Sequence, residues 1–366
     1  MSFSLINSSF VEAQFGLKLL SDQLSTAIEP CVFSPVSILL ALAMVHLGAK
    51  GHTRNEIRDA IANGSTDEQF IEHFSFLNKL VNNSVNDVET LIANRLFVAP
   101  EQAIRKAFVE NLHEHYNAGT GQLDFKNQEN AAKIINEYIS DATKGMIKDM
   151  IKADSLRDVD AMLINAVFFQ GDWRSRFPAP RESNFSVSET ENKLVQMMAE
   201  TRDYIYNKDE DWQVVGITFK DKSAWFAIIL PIERFTLSSN LKSLDATKFH
   251  NLISGVYQEY IHLTFPKFKQ QYKINLKEAL GKFGLSEVFT ERSDLSGIGP
   301  GLQLAAATHQ AVIEVDQVGT RAAAVTEAKL YFVSGRMDPP LSIRADHPFL
   351  YAIIKDNAPL FMGVYT

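Results

Sequence analysis

Few side chains in this sequence are spaced for catalysis. His113-Glu114-His115 offers two imidazoles and a carboxylate, but positions two apart on a helix do not share a face and cannot converge on a metal, so the triplet reads as a solvated helix surface. Gly297-Ile298-Gly299-Pro300-Gly301 has neither the lysine of a phosphate loop nor the spacing of a dinucleotide fingerprint, and reads as a turn. No serine stands in a Gly-x-Ser-x-Gly elbow, so the serines and histidines present do not suggest a hydrolase. No metal and no cofactor is expected, and the chain does not read as an enzyme.

The unusual patterning lies between Val318 and Ile343. From Thr320 onward the even positions are Thr320, Ala322, Ala324, Thr326, Ala328, Leu330 and Phe332, all uncharged and mostly small, while the odd ones carry Arg321, Glu327 and Lys329. That is the period of a half-buried strand. Alanine has poor strand propensity, so the small inward side chains suit a strand that must slide between neighbours already in place. Gly319 supplies a hinge, and Gly335 to Pro340 has the glycine, charged tip and proline pair of a loop. One stretch thus carries two instructions, exposed loop and latent strand.

The elements that would position it alternate between helix and strand. Helical patterns cover Phe10 to Leu24, Thr53 to Ala62, Asp67 to Val81, Ile104 to Tyr116, and Asn130 to Ala142 with an inward stripe of Ile134, Ile135, Tyr138 and Ile139. Ser34 caps a helix that begins at Pro35, runs apolar to Leu47 and stops at Gly48; a helix that apolar is buried. Further helices are expected at Asn240 to Leu252 and Ile274 to Phe283. Strands are expected at Thr90 to Ala99, Ala161 to Gln170, Trp212 to Phe219, Ala224 to Leu230, Glu259 to Gln270, Gln303 to Val315, Leu341 to Ile343, Phe349 to Ile354 and Leu360 to Tyr365. Ala161 to Gln170, apolar except near Asn165, reads as buried on both faces. No repeat or linker divides the 366 residues, and strands from both halves fit one mixed α+β domain.

A net charge of -8 argues against a general nucleic-acid binder. The longest apolar run, Ile38 to Val45, is eight residues, well short of the ~20 that span a bilayer, so no membrane partner is expected. Cys31 is the only cysteine, which precludes an internal disulfide. With a start, Met1 to Asn7, that is neither basic nor strongly apolar, this favours a reducing, cytoplasmic setting, with unconventional release as the route to an extracellular one. The acceptor triplets at Asn7, Asn63, Asn82 and Asn184 are read as chance occurrences.

Gln317-Val318-Gly319-Thr320-Arg321-Ala322-Ala323-Ala324 resembles the hinge of the serpins, in which a protease-cleaved reactive-centre loop inserts into a β-sheet. Four more stretches are similar to serpin segments and lie in order along the chain: Phe33 to Ile38, Asn165 to Trp173, Phe265 to Lys269 and Ala345 to Leu350. The leaderless start and Ala345 to Phe349 resemble the intracellular ovalbumin-like clade, of the inhibitory type. The resemblance implies one α+β serpin domain over residues 1–366, with about eight to nine helices and a reactive-centre loop at about 317–340.

It also implies roles. Ser34, Ser37, Asn165 and His309 would form a shutter beneath the sheet; without the resemblance they read as four separately satisfied core residues. Trp173 would be the aromatic at the breach where insertion begins, or otherwise a core tryptophan. The family's spacing from the hinge glycine puts the scissile bond at Val333-Ser334, which suits an elastase-like pocket; a small shift would present Phe332 or Tyr331 to a chymotrypsin-like one, or Arg336 to trypsin. The implied function is a monomeric suicide inhibitor that forms a covalent acyl complex with a target serine protease. Cysteine proteases and a non-inhibitory chaperone or binding role are the alternatives. The family carries acidic residues where this chain has Gln317 and Val318, which implies the loss of a breach salt bridge, and Arg321 replaces another acid on the outward side.

Overall fold

The computed structural model describes residues 8–25, 27–62, 64–83, 88–320 and 338–366. Two sheets account for the strands of these residues. In the six-stranded sheet Phe268–Asn275, Ala306–Val315, Ala161–Asp172, Glu89–Val98 and Gly119–Gln122 follow one another, and Gly319–Thr320 pairs with one end of Ala161–Asp172. Ala161–Asp172 is therefore the central strand, antiparallel to Glu89–Val98 on one side and parallel to Ala306–Val315 on the other. The nine-stranded sheet runs from Cys31–Phe33 through Ala358–Tyr365, Phe349–Lys355, Ala224–Pro231, Trp212–Thr218, Asn192–Lys208 and Tyr257–Pro266 to Leu341–Arg344, with Arg181–Ser186 alongside Asn192–Lys208.

The central strand is covered on both faces. Leu163, Val167 and Phe169 join the main core with the helix Pro35–Gly48, while Met162, Ile164, Ala166 and Phe168 pack in a second cluster with Ile135 and Ile139 of the helix Gln128–Ala142. A strand buried twice over has to read as a continuous apolar run, and this one does. The helix Pro35–Gly48 is buried along almost its whole length, with Ser34 as its cap.

Several boundaries depart from the sequence patterns. The run Glu259 to Gln270 is two strands, one in each sheet, because Pro266 has no N–H to continue the ladder and the chain changes sheets at Lys267. Asn240 to Leu252 is two helices, Leu237–Ser243 and Ala246–Ser254, since the Asp245 carboxylate accepts the N–H of Lys248 at 2.7 Å and starts a new helix. The segment Ile274 to Phe283 is helical only over Leu276–Gly281; Ile274 still belongs to a strand. Ile134 is exposed and the inward face of its helix is completed by Ala131 and Ala132. The strands Gly119–Gln122, Arg181–Ser186 and Asn192–Lys208 carried no alternating apolar signal strong enough to mark them.

Thr66 caps the helix Asp67–Asn82 through a reciprocal box with Gln69. Thr66→Ala is expected to destabilise the protein by about 1 kcal/mol, seen as a lower midpoint of urea unfolding, and Thr66→Ser to restore most of it.

Candidate functional site

Ser34, Ser37, Asn165 and His309 come from the helix Pro35–Gly48 and its cap, the central strand and the parallel neighbour Ala306–Val315. All four are buried. His309 and Asn165 lie directly opposite each other in the parallel ladder, both facing the helix. The Ser34 N–H donates to His309 Nε2 at 3.2 Å, and His309 Nδ1 donates to Asn165 Oδ1. Asn165 Nδ2 lies 2.7 Å from Ser37 Oγ and 2.9 Å from Ser37 O, and also donates to Asn94 Oδ1 on Glu89–Val98. Ser34 Oγ accepts the Ser37 N–H at 3.1 Å. The directions of these bonds require a neutral imidazole, with its hydrogen on Nδ1. Burial without a counter-charge pushes the His309 pKa down to about 3 and keeps it so.

At the end of the central strand the pairing changes. Its ladder with Ala306–Val315 stops at Phe168 and Val312. The neighbour goes on to Val315, the chain turns, and Gly319–Thr320 returns antiparallel against Asp172 and Gly171. Asp316 shapes the turn: its Oδ1 accepts the N–H groups of Val318 and Gly319 at 2.8 and 3.1 Å, and its own N–H donates to Gly319 O at 2.9 Å. A Cβ on Gly319 would stand 2.2 Å from Gly171 O and 2.6 Å from Asp172 Cα, so only glycine allows this approach. Thr320 is fully buried, its hydroxyl 3.3 Å from Gly171 O.

Trp173 grips the same turn. Its backbone N–H donates to Val318 O at 2.8 Å and its Nε1 to Asp316 O at 2.7 Å, and its ring stacks on Phe219 at 4.8 Å. At Gln317 a hydrogen bond stands where the ion pair was expected to be lost: Lys267 Nζ lies 3.4 Å from Gln317 Oε1, and 4.0 Å from Asp316 Oδ2. The lysine thus keeps a carboxylate one residue earlier in the chain.

A serpin (serine protease inhibitor) family model matches residues 11–366. The chain belongs to the serpin family. It is 33% identical over 342 residues to serine protease inhibitor 42Dd of Drosophila melanogaster, covering 91% of this chain and 90% of that protein. It is 31% identical over 353 residues to a leukocyte elastase inhibitor of Xenopus laevis, covering 91% and 92% respectively. The solved structure of human thyroxine-binding globulin in complex with thyroxine superposes with a TM-score of 0.89 at 26% identity, covering 98% of each chain. The single-domain α+β serpin architecture expected from the sequence is the one observed.

The serpin residues assigned by resemblance divide sharply. The four shutter candidates form one network, and Gln317, Val318, Gly319 and Thr320 meet Trp173 at one turn. Arg321, Ala322, Ala323, Ala324, Tyr331, Phe332, Val333, Ser334 and Arg336 lie outside the described residues. Beyond them the chain resumes in Leu341–Arg344, parallel to Tyr257–Pro266. Asp346 anchors that end. Burial raises its pKa, but hydrogen bonds with His347, Arg234 and Arg344 outweigh this and hold the carboxyl well below the usual range. His113, Glu114 and His115 lie on Lys106–Tyr116, and His115 Nδ1 is 3.3 Å from Ser75 Oγ.

Sequence reasoning met Asp346 only as part of the segment Ala345 to Leu350, and missed Asn94 and Asp316 and also the buried pair Glu12 and His73, 2.9 Å apart, which ties Ser8–Gln23 to Asp67–Asn82. Each reads as an ordinary polar residue until the fold supplies its partner. The one available signal was Asp316 just before the hinge, an acid closing an apolar strand.

Between about pH 6.5 and 3 the unfolded chain takes up a proton at residue 309 that the folded chain refuses, so stability falls as pH drops through this window. The slope is expected to approach about 1.4 kcal/mol per pH unit from this group. His46 is also buried, with its pKa pushed down to about 4 by desolvation first and Arg54 second, and adds to the wild-type slope. Urea unfolding of His309→Gln should therefore show a shallower decline between pH 6.5 and 5 than wild type; equal slopes would contradict the assignment.

Proposed function

We propose that this serpin is a suicide-substrate inhibitor of serine proteases with chymotrypsin-like or elastase-like specificity. The observation that carries the reading is the position of Thr320: small, uncharged, fully buried and already paired with the central strand. The next inward positions, Ala322, Ala324, Thr326 and Ala328, are equally small, so the strand can lengthen without forcing the core apart.

In this reading the protease serine Oγ attacks the carbonyl carbon of Val333. The bond to the Ser334 nitrogen breaks, the protease histidine delivers the proton to the departing amine, and Val333 is left as an ester on the enzyme. Release of the C-terminal side frees Thr320 to Phe332 to continue the strand begun at Gly319. At ~3.3 Å per residue this carries the tethered protease roughly 40 Å. Water then has to find an ester in a displaced and distorted active site. Phe332 and Tyr331 are the neighbouring candidates for the cut bond, and Arg336 a trypsin-type one. Ser34, Ser37, Asn165 and His309 act as the shutter and Trp173 as the breach contact. The inhibitor works as a monomer, without a cofactor, and is consumed rather than turning over. A cytoplasmic setting belongs to the same reading, supported by the single cysteine of the sequence.

Incubation with chymotrypsin, pancreatic elastase and trypsin in parallel tests this. A complex that survives denaturing electrophoresis is expected with one of the first two, with release of a peptide beginning at Ser334. Clean cleavage without complex, there and with a panel of cysteine proteases, would favour a binding protein on the same fold. Thr320→Arg must place a charge in a fully enclosed position, and is expected to raise the stoichiometry of inhibition severalfold as the variant is cleaved as a substrate. An unchanged stoichiometry would rule out insertion through this position.

A further inference from the structure

The hinge turn is held from outside by a segment with no regular structure of its own. Residues 174–180 lie in no strand or helix, and Pro178 and Pro180 have no N–H to offer a ladder. Yet this segment and Trp173 before it hold the turn at two backbone positions: the Trp173 N–H donates to Val318 O and the Phe177 N–H to Gln317 O, each at 2.8 Å. The first donor is fixed by the stacking of Trp173 on Phe219 and by the Arg174 N–H, which reaches Thr218 O at 3.0 Å. The second, three residues further on, needs an anchor of its own.

Arg202 supplies it. This residue belongs to Asn192–Lys208, a strand of the other sheet, and its Nη1 donates to Ser175 O at 2.8 Å. The guanidinium lies over the Phe177 ring at 4.4 Å and 5.0 Å from the Tyr204 ring. Tyr204 stands two positions along on the same face of the strand; it is buried, with its hydroxyl donating to Glu200 O at 3.3 Å. Phe177 also meets Phe265 edge-on at 5.1 Å. A planar cation can cover a ring and hold a main-chain carbonyl at once, whereas an ammonium has a donor but no face to stack.

We propose that Arg202 is a positioning residue for strand entry. It braces the segment 173–177 against the nine-stranded sheet, and that segment keeps the turn 316–319 in the register from which Thr320 leads the chain inward. Without the guanidinium, Ser175 O loses its donor and Phe177 is steadied by apolar contacts alone, so its N–H holds Gln317 less firmly. Entry then starts later, and in more encounters water cleaves the acyl ester before the protease is carried away. The consequence for inhibition rests on the function proposed above; the brace itself does not.

Arg202→Met keeps the apolar stem and removes the fork. In amide hydrogen exchange of the full chain, followed by mass spectrometry, the peptide from Trp173 to Phe177 is expected to exchange at least about tenfold faster in this variant, the worth of a hydrogen bond from a charged donor. Peptides from Phe349–Lys355 should keep the wild-type rate, which separates a local loosening from a global one. With the protease that the wild type traps, the stoichiometry of inhibition should rise severalfold while the rate of attack on the loop stays unchanged. Arg202→Lys, which retains a donor, should fall between the two in both measurements. Unchanged exchange in Arg202→Met, or faster exchange with unchanged stoichiometry, would overturn the proposal. If Arg202→Met does not fold, Arg202→Lys decides alone, and wild-type exchange there would overturn it. Absence of any complex with the wild type would count against the inhibitory function, while the exchange result still decides whether Arg202 is the brace.

Discussion

The constraint on which the structure turns is the seam between Ala161–Asp172 and Ala306–Val315. Backbone N–H and C=O groups inside a sheet have to be paired, yet these two strands bond each other only as far as Phe168 and Val312. Beyond that point the pairing of the central strand is taken up by Gly319 and Thr320. The local chemistry serves that handover: the Asp316 carboxylate that reverses the chain, the missing Cβ of Gly319 and the two hydrogen bonds from Trp173 that hold the turn.

The same seam explains why polar residues sit in an otherwise apolar layer. His309 and Asn165 belong to the two strands on either side of it, and their mutual hydrogen bond crosses it. A strand entering from the hinge end must break that bond, while Asn165 can keep its contacts to Ser37 and Asn94. Polar networks in a low-dielectric interior are costly when half satisfied. The network therefore closes the sheet in a way that apolar packing, which slides more readily, would not. A neutral histidine suits this role, because a charged one would present a donor to the Ser34 N–H.

The two ends of the segment between residues 320 and 338 are held by different physics. At the first end the hold is steric and made of backbone, through Gly319 against Gly171 and Asp172. At the other it is ionic, with Asp346 drawing in Arg234, Arg344 and His347. A backbone hold extends naturally into a longer strand, whereas an ionic cluster fastens a fixed point.

The sequence by itself determined whatever rests on local periodicity or on one residue's stereochemistry. The doubly buried central strand, the capped apolar helix after Ser34, the small even face from Thr320 and the hinge glycine were all legible because an apolar run, a serine before proline and a missing side chain have the same meaning in any context. Serpin resemblance then grouped Ser34, Ser37, Asn165 and His309, which no spacing could have joined across so much of the chain. Only the tertiary structure decided that Asn94 completes that group, that Lys267 turns to Asp316 and Gln317, and that Asp346 collects two arginines. It also decided that Asn192–Lys208, with its mixed charges, is one 17-residue strand. Such features depend on which backbone lies alongside, and pairing between distant segments leaves no mark in either segment alone.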